Sequence, residues 1–130
     1  MPKSHTQSIS WFTIIGALAA LTHYIVAIGL EHSAFLTASH ANVAGFVTAF
    51  PVSYFGHHKY SFAGNDSSHR HAMPRFLSVA ILGFLANQTL VLNALQYTKL
   101  PFWFVLGVVM VLVAASTYLL SKFWAFKGTK

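Results

Sequence analysis

The 130-residue chain has no cysteine, two carboxylates (Glu31 and Asp66), and only 8% charged residues. Each shortage closes off a class of answer. Without cysteine there is no disulfide framework, thiolate nucleophile or thiolate metal ligand. Two carboxylates, neither deep in an apolar run, supply no pair for general acid–base chemistry. No nucleophile stands beside a base in the sequence either, so the expectation is a protein that is not an enzyme and needs no cofactor. Soluble domains carry about a quarter charged residues. This chain cannot clothe a water-facing surface with what it has.

What it has instead is apolar: 55% of the residues are hydrophobic, gathered in long runs. Crossing a hydrocarbon core of about 30 Å takes roughly 20 apolar residues of helix. Four segments reach that length, at about 9–30, 37–56, 76–97 and 102–121, the second interrupted by His40, Asn42 and Pro51. The first run is too long for the core of a cleavable signal, and no clear small-residue cleavage site follows it, so it reads as a retained span. EHSAFL and TKLP form short turns, whereas KYSFAGNDSSHRHAMP is the one long loop, with a turn-forming and flexible centre expected at Gly-Asn-Asp-Ser-Ser. The expected fold is therefore an all-α membrane protein, a single four-span domain over residues 1–130.

Net charge is +6. Four spans put both termini and the long loop on one side, which then holds Lys3, Lys59, Arg70, Arg75, Lys122, Lys127 and Lys130, against Lys99 alone on the other. Cytoplasmic loops carry the excess of Lys and Arg, so both termini are expected in the cytoplasm. Nucleic-acid binders cluster their cations on a soluble face. Here the cations end apolar runs, which excludes nucleic acid and points to anionic membrane lipids.

A shift of 64 residues aligns the halves without a gap, about 11–64 on 75–128. Phe12 falls on Phe76, Leu18 on Leu82, His23 on Asn87, Tyr54 on Tyr118, Tyr60 on Trp124, Phe62 on Phe126, and Gly64 on Gly128. Composition explains matched leucines but not a shared aromatic-x-Phe-x-Gly ending. The expectation is two parallel repeats of a helix pair, an architecture found among transporters.

SYFGHHKYSF after the second run, PRF opening the third, and SKFWAF after the fourth resemble the GtrA-like family of small four-span membrane proteins. The likeness runs from about Phe12 to Phe126. Members often carry Asn-Arg or His-Arg where this chain has His57 and His58, followed by an aromatic–Thr/Ser–Phe ending like Tyr60-Ser61-Phe62. The chain departs from that pattern in replacing the permanently charged Arg by His58, with Lys59 beside it as a substitute cation. The resemblance implies a multi-pass protein of a bacterial cytoplasmic membrane. It also implies work in cell-surface polysaccharide synthesis, flipping a polyprenyl-phosphate-linked sugar or supporting the membrane glycosyltransferase that makes it.

For such a substrate, Arg75, Lys59 and Lys122, with His57 and His58, are the candidate holders of the lipid phosphate. Arg offers a planar fork and Lys a point charge. The alternative is that these residues only mark topology and anchor anionic lipid. Polar groups inside the spans, His23, its repeat mate Asn87, and Gln88, are candidates to line a path for the sugar, or else to bond helix to helix; Asn93, His40 and Asn42 are weaker ones. The flanking aromatics Tyr54, Tyr60, Phe62, Phe76, Trp124 and Phe126 form either an interface belt or a stacking surface. His57, His58, Asp66, His69 and His71 lack the supported frame a zinc site needs, so no metal site is expected.

Gly16 with Ala20, and Ala41 with Gly45 and Ala49, put small residues four apart where helices can approach closely. Four helices are few to enclose a sugar, so a homo-oligomer or partner protein is expected. Two functional classes stay open, a flippase and a non-transporting scaffold that recruits a glycosyltransferase. A multidrug-type proton antiporter fits poorly, because it needs an acid buried in its first span and here there is none before Glu31 at the far end.

Overall fold

The computed structural model describes residues 5–61 and 66–120, with the side chains of 5–9, 61, 66–73, 76 and 120 outside the description. Lys122, Phe62, Trp124, Phe126 and the rest of the second aromatic phrase beyond residue 120 lie outside the described residues. Among those that are described there are four α-helices: α1 (His5–His32), α2 (Ala38–Gly56), α3 (Asp66–Tyr97) and α4 (Phe102–Leu120), with a π-helical turn, His57–Ser61, following α2. The chain divides into two compact units, Met1–His71 and Ala72–Lys130.

Three of these helices contain segments long and apolar enough to cross a membrane: Ser10–His32, Leu77–Tyr97 and Phe102–Leu119. The exposed side chains bear this out. Leu21 and Ile25 on α1 are 56% and 59% exposed, and in water such residues forfeit roughly 1.5–3 kcal/mol each relative to burial. Lipid is the solvent that removes the penalty. The expected fourth crossing helix is present as α2, but it is not among the three. Its His40, Asn42, Pro51 and hydroxyl residues dilute the apolar run.

In the first unit, α1 and α2 form an antiparallel hairpin. The turn closing α1 is a Schellman-type cap: Phe35 N–H donates to the Leu30 carbonyl at 3.1 Å and Ala34 N–H to that of Glu31 at 3.0 Å. Ala34 carries the left-handed conformation this motif requires, at φ 62°, a place usually given to glycine. Thr37 then caps α2, its hydroxyl accepting from the His40 N–H at 3.4 Å.

The seam of the hairpin repeats every four residues. Ile15, His23 and Ala27 are buried on α1, facing Ala41, Gly45 and Ala49 on α2. The small residues of α2 let the backbones close up. A Cβ built on Gly45 would lie 2.6 Å from the His23 carbonyl oxygen and 2.7 Å from His23 Cδ2. The other expected small pair does not behave this way: Gly16 has nothing within 4 Å of its Cβ position, and Ala20 is exposed. A small residue makes a contact only on the face that meets a neighbour.

In the second unit, Leu100 precedes Pro101, which disfavours helix at Leu100, and the Pro101 carbonyl accepts the first bonds of α4 from Phe104 and Val105. Here α4 passes α3 at Gly83, whose Cβ position lies 3.5 Å from Val113 Cγ1 and 3.6 Å from Thr117 Oγ1. Val79, Asn87 and Val91 are buried on α3, and Val105, Leu106 and Val109 on α4. Each lies 64 residues after a buried residue of the first unit, respectively Ile15, His23, Ala27, Ala41, Asn42 and Gly45.

The long loop is a correction to the sequence expectation. Helix α3 begins at Asp66, ten residues before the expected Phe76, so Asp66, Ser67 and Ser68 open a helix instead of forming a flexible turn. Pro74 sits inside the helix. It removes the N–H that would bond the Arg70 carbonyl.

Candidate functional site

At mid-depth in the first unit, His23 Nε2 and Asn42 Oδ1 are 2.7 Å apart. Amide Oδ1 only accepts, so Nε2 carries the proton and donates. Both residues are buried, at 6% and 0% exposure, and the close approach at Gly45 holds the two backbones near enough for the bond. His23 was paired with Asn87 by the repeat, but within its own unit its partner is Asn42, a residue given less weight in the sequence. The signal was present in the hairpin: a turn centred near Ala34 sets residue 23 opposite residue 45, one helical turn from Asn42.

Asn87 is likewise buried, at 4% exposure, while Gln88 is half-buried. The residue corresponding to Asn42 in the second unit is Leu106, fully buried and apolar, so the polar pair is not repeated by residue type. Asn93 settles locally, its Nδ2 donating to the Thr89 carbonyl at 2.7 Å. Hydroxyls within the helices do the same: Thr22 donates to Leu18, Thr48 to Ala44, Thr89 to Leu85 and Ser116 to Leu112. His40 lies exposed at the start of α2, its Nδ1 2.9 Å from Thr37 Oγ1.

At the other end of the hairpin, the π-helical turn separates residues that the sequence grouped together. His57 is buried, 1% exposed, with its ring centroid 4.7 Å from that of Phe12. His58 and Lys59 are exposed. Tyr60 stacks on Trp11 with centroids 4.6 Å apart and planes 21° from parallel, and Lys59 Nζ lies 5.3 Å from the Tyr60 ring centroid. Gly56 lets the turn meet α1, since a Cβ there would fall 2.7 Å from Ile15 Cγ2. Burial pushes the His57 imidazole down to about 4, so it is neutral at physiological pH.

His58 also stacks on Tyr54, and from there a ladder of rings four residues apart runs up α2 through Phe50 and Phe46 to His23, with centroids 6.2–6.4 Å apart. Neither Trp11 nor Phe12 was singled out as a partner for this phrase. The signal available was their place at the start of α1, which an antiparallel hairpin brings to the end of α2.

Arg75 is exposed on α3. Lys122 lies outside the described residues. Among the described residues, Lys59 beside His58 in the first unit and Arg75 and Lys99 in the second are exposed cations, and His23, Asn42 and Asn87 are buried polar groups. Among the described residues no group of three or more His, Asp or Glu is arranged to hold a metal ion.

Comparison with curated proteins and with solved structures returns no significant match. A family of membrane domains does match, GtrA/DPMS transmembrane domain, over residues 11–126. That stretch takes in nearly all of the three segments apolar enough to cross a membrane, together with α2 and the π-helical turn after it. A chain matched over nearly its whole length, helical and apolar as this one is, belongs to the GtrA/DPMS transmembrane domain family.

Proposed function

We propose that this protein moves a polyprenyl-phosphate-linked sugar across the cytoplasmic membrane in cell-surface polysaccharide synthesis. Family membership supports the coarser part of this reading, a membrane protein of glycosyl or polysaccharide synthesis. The observation that carries the finer part is the end of the first hairpin, where His58 and Lys59 stand exposed, His58 stacked on Tyr54 and Lys59 beside the ring of Tyr60. A lipid phosphate carries its charge at the interface, where a Lys head group meets it while the side-chain stem stays in apolar surroundings. Arg75, exposed on α3, carries the planar fork suited to a phosphate.

In this reading α2 is the fourth span. Its 19 residues extend about 28 Å, close to the hydrocarbon thickness. The groups that lower its hydropathy are provided for, Asn42 by His23 inside the hairpin and His40 by Thr37 at the helix start. Four spans and the distribution of Lys and Arg put both termini in the cytoplasm. The coincidence of buried positions at a shift of 64 supports two parallel repeats. His23, Asn87 and Gln88 are the polar groups proposed to line the path of the sugar, His23 while donating to Asn42.

The test is reconstitution into vesicles carrying a polyprenyl-phosphate-linked sugar in both leaflets. An impermeant sugar oxidant should reach only the outer half in protein-free vesicles and nearly all of it with the protein. If half the sugar stays protected while the protein still co-purifies with a membrane glycosyltransferase, the scaffold replaces the flippase.

A further inference from the structure

The anchored and the exposed residues of the turn after α2 alternate in a telling order. His57 and Tyr60 are held by two neighbouring rings of α1, Phe12 and Trp11, and between them lie His58 and Lys59, both exposed. A two-residue loop fixed at both ends has little freedom left, and a cation on it is presented in one place. That matters for binding, because each long side chain immobilised on contact costs about 0.5–1.5 kcal/mol. A buried imidazole cannot itself meet a lipid head group.

We infer that His57 is a positioning residue: its ring, seated against Phe12, fixes the turn that presents His58 and Lys59 to an anion, and it makes no contact with that anion. The inference rests on the phosphate-binding part of the proposed function and gives His57 a part different from that of its two neighbours. What the position needs is a neutral planar ring of this size. Among the described residues, those of α1 that meet the turn, Trp11, Phe12 and Ile15, are not ionisable, and the titratable groups nearby on the turn and α2 are His58, Lys59, Tyr54 and Tyr60.

Native mass spectrometry of the full chain in detergent, with farnesyl phosphate and farnesol as probes, tests this. Wild type should retain farnesyl phosphate over farnesol, and the double variant His58→Ala/Lys59→Ala should bind it about ten-fold more weakly or worse. His57→Ala should lose as much although both exposed residues remain, and His57→Phe should restore binding. Equal loss in His57→Phe and His57→Ala would mean that the imidazole nitrogens, and not the seat against Phe12, carry the role, and unchanged binding in His57→Ala would mean the brace is irrelevant; either overturns the inference.

If wild type fails to distinguish the two probes, the phosphate reading falls and the brace is judged separately. In a Trp103→Phe/Trp124→Phe background, Trp11 emission reports its stack on Tyr60. His57→Ala should make Trp11 more open to acrylamide and His57→Phe should not. No change in His57→Ala overturns the inference there too.

Discussion

Replacing Gly45 by Ala probes the reasoning about the first hairpin most directly. The added methyl would sit 2.6 Å from a backbone oxygen of α1, 2.7 Å from His23 Cδ2 and 3.1 Å from Ala27 Cβ. No rotamer change relieves a clash with a carbonyl, so α2 must retreat by roughly 0.5–1 Å to restore ordinary contact. The 2.7 Å bond between His23 and Asn42 then stretches past the useful hydrogen-bond range. Overpacking costs about 1–3 kcal/mol and loss of the interhelical bond about 0.6–1.7 kcal/mol. Against these stands a gain of about 0.8–1 kcal/mol in helix propensity, leaving a net loss of roughly 0.6–4 kcal/mol. Unfolding of the purified protein by SDS in mixed micelles, followed by circular dichroism, measures it. Gly29→Ala is the control, because nothing lies within 4 Å of its Cβ position, and it should be neutral or stabilising. Asn42→Leu should add little on top of Gly45→Ala, since both remove the same bond. A Gly45→Ala protein as stable as the Gly29→Ala control would refute the close-packed seam.

Further outcomes follow from other parts of the first unit. Asn42→Leu alone, which copies Leu106 of the second unit, should cost about 1–2 kcal/mol in the same SDS titration by leaving the buried His23 N–H without its acceptor. Ala34→Gly should stabilise by roughly 1 kcal/mol, because a left-handed φ of 62° strains alanine and not glycine. The brace should also be acid-sensitive. His57 is held near 4 in the folded chain against an ordinary value of 6.5, so the unfolded chain takes up the proton first as pH falls. The stabilisation is then complete above about pH 6.5, is lost progressively toward pH 4, and amounts to no more than about 3 kcal/mol. Trp11 emission against pH reads this, and His57→Phe should flatten that component of the profile, separating it from any contribution of His58.

Much of this architecture was legible because apolar runs, Pro101 and the short turns speak directly about helix boundaries. The start of α3 was not, since Asp and Ser serve equally as turn formers and as helix caps, and only the structure selects between those uses. His57, His58 and Lys59 read as one basic cluster because spacing alone cannot say which residue of a π-helical turn faces inward. The partner of His23 was missed for a related reason. The repeat relates positions between halves, whereas the His23–Asn42 bond forms within one half, across the hairpin. Gly45 was legible as a small residue at helix-packing spacing. Gly16 looked the same in sequence and meets nothing, because spacing reveals a stripe but not which way it faces.

Helix α3, 32 residues from Asp66 to Tyr97, measures about 48 Å, while its apolar segment Leu77–Tyr97 accounts for only about 31 Å. The remainder is an arm of roughly 16 Å continuous with that apolar segment. Such an arm has leverage: a tilt of about 10°, well inside the range open to membrane helices, sweeps its tip through roughly 3 Å. Pro74, where one backbone bond is absent, is the weakest point along that lever. A change in the tilt of the apolar segment would then register at Arg75 as a displacement.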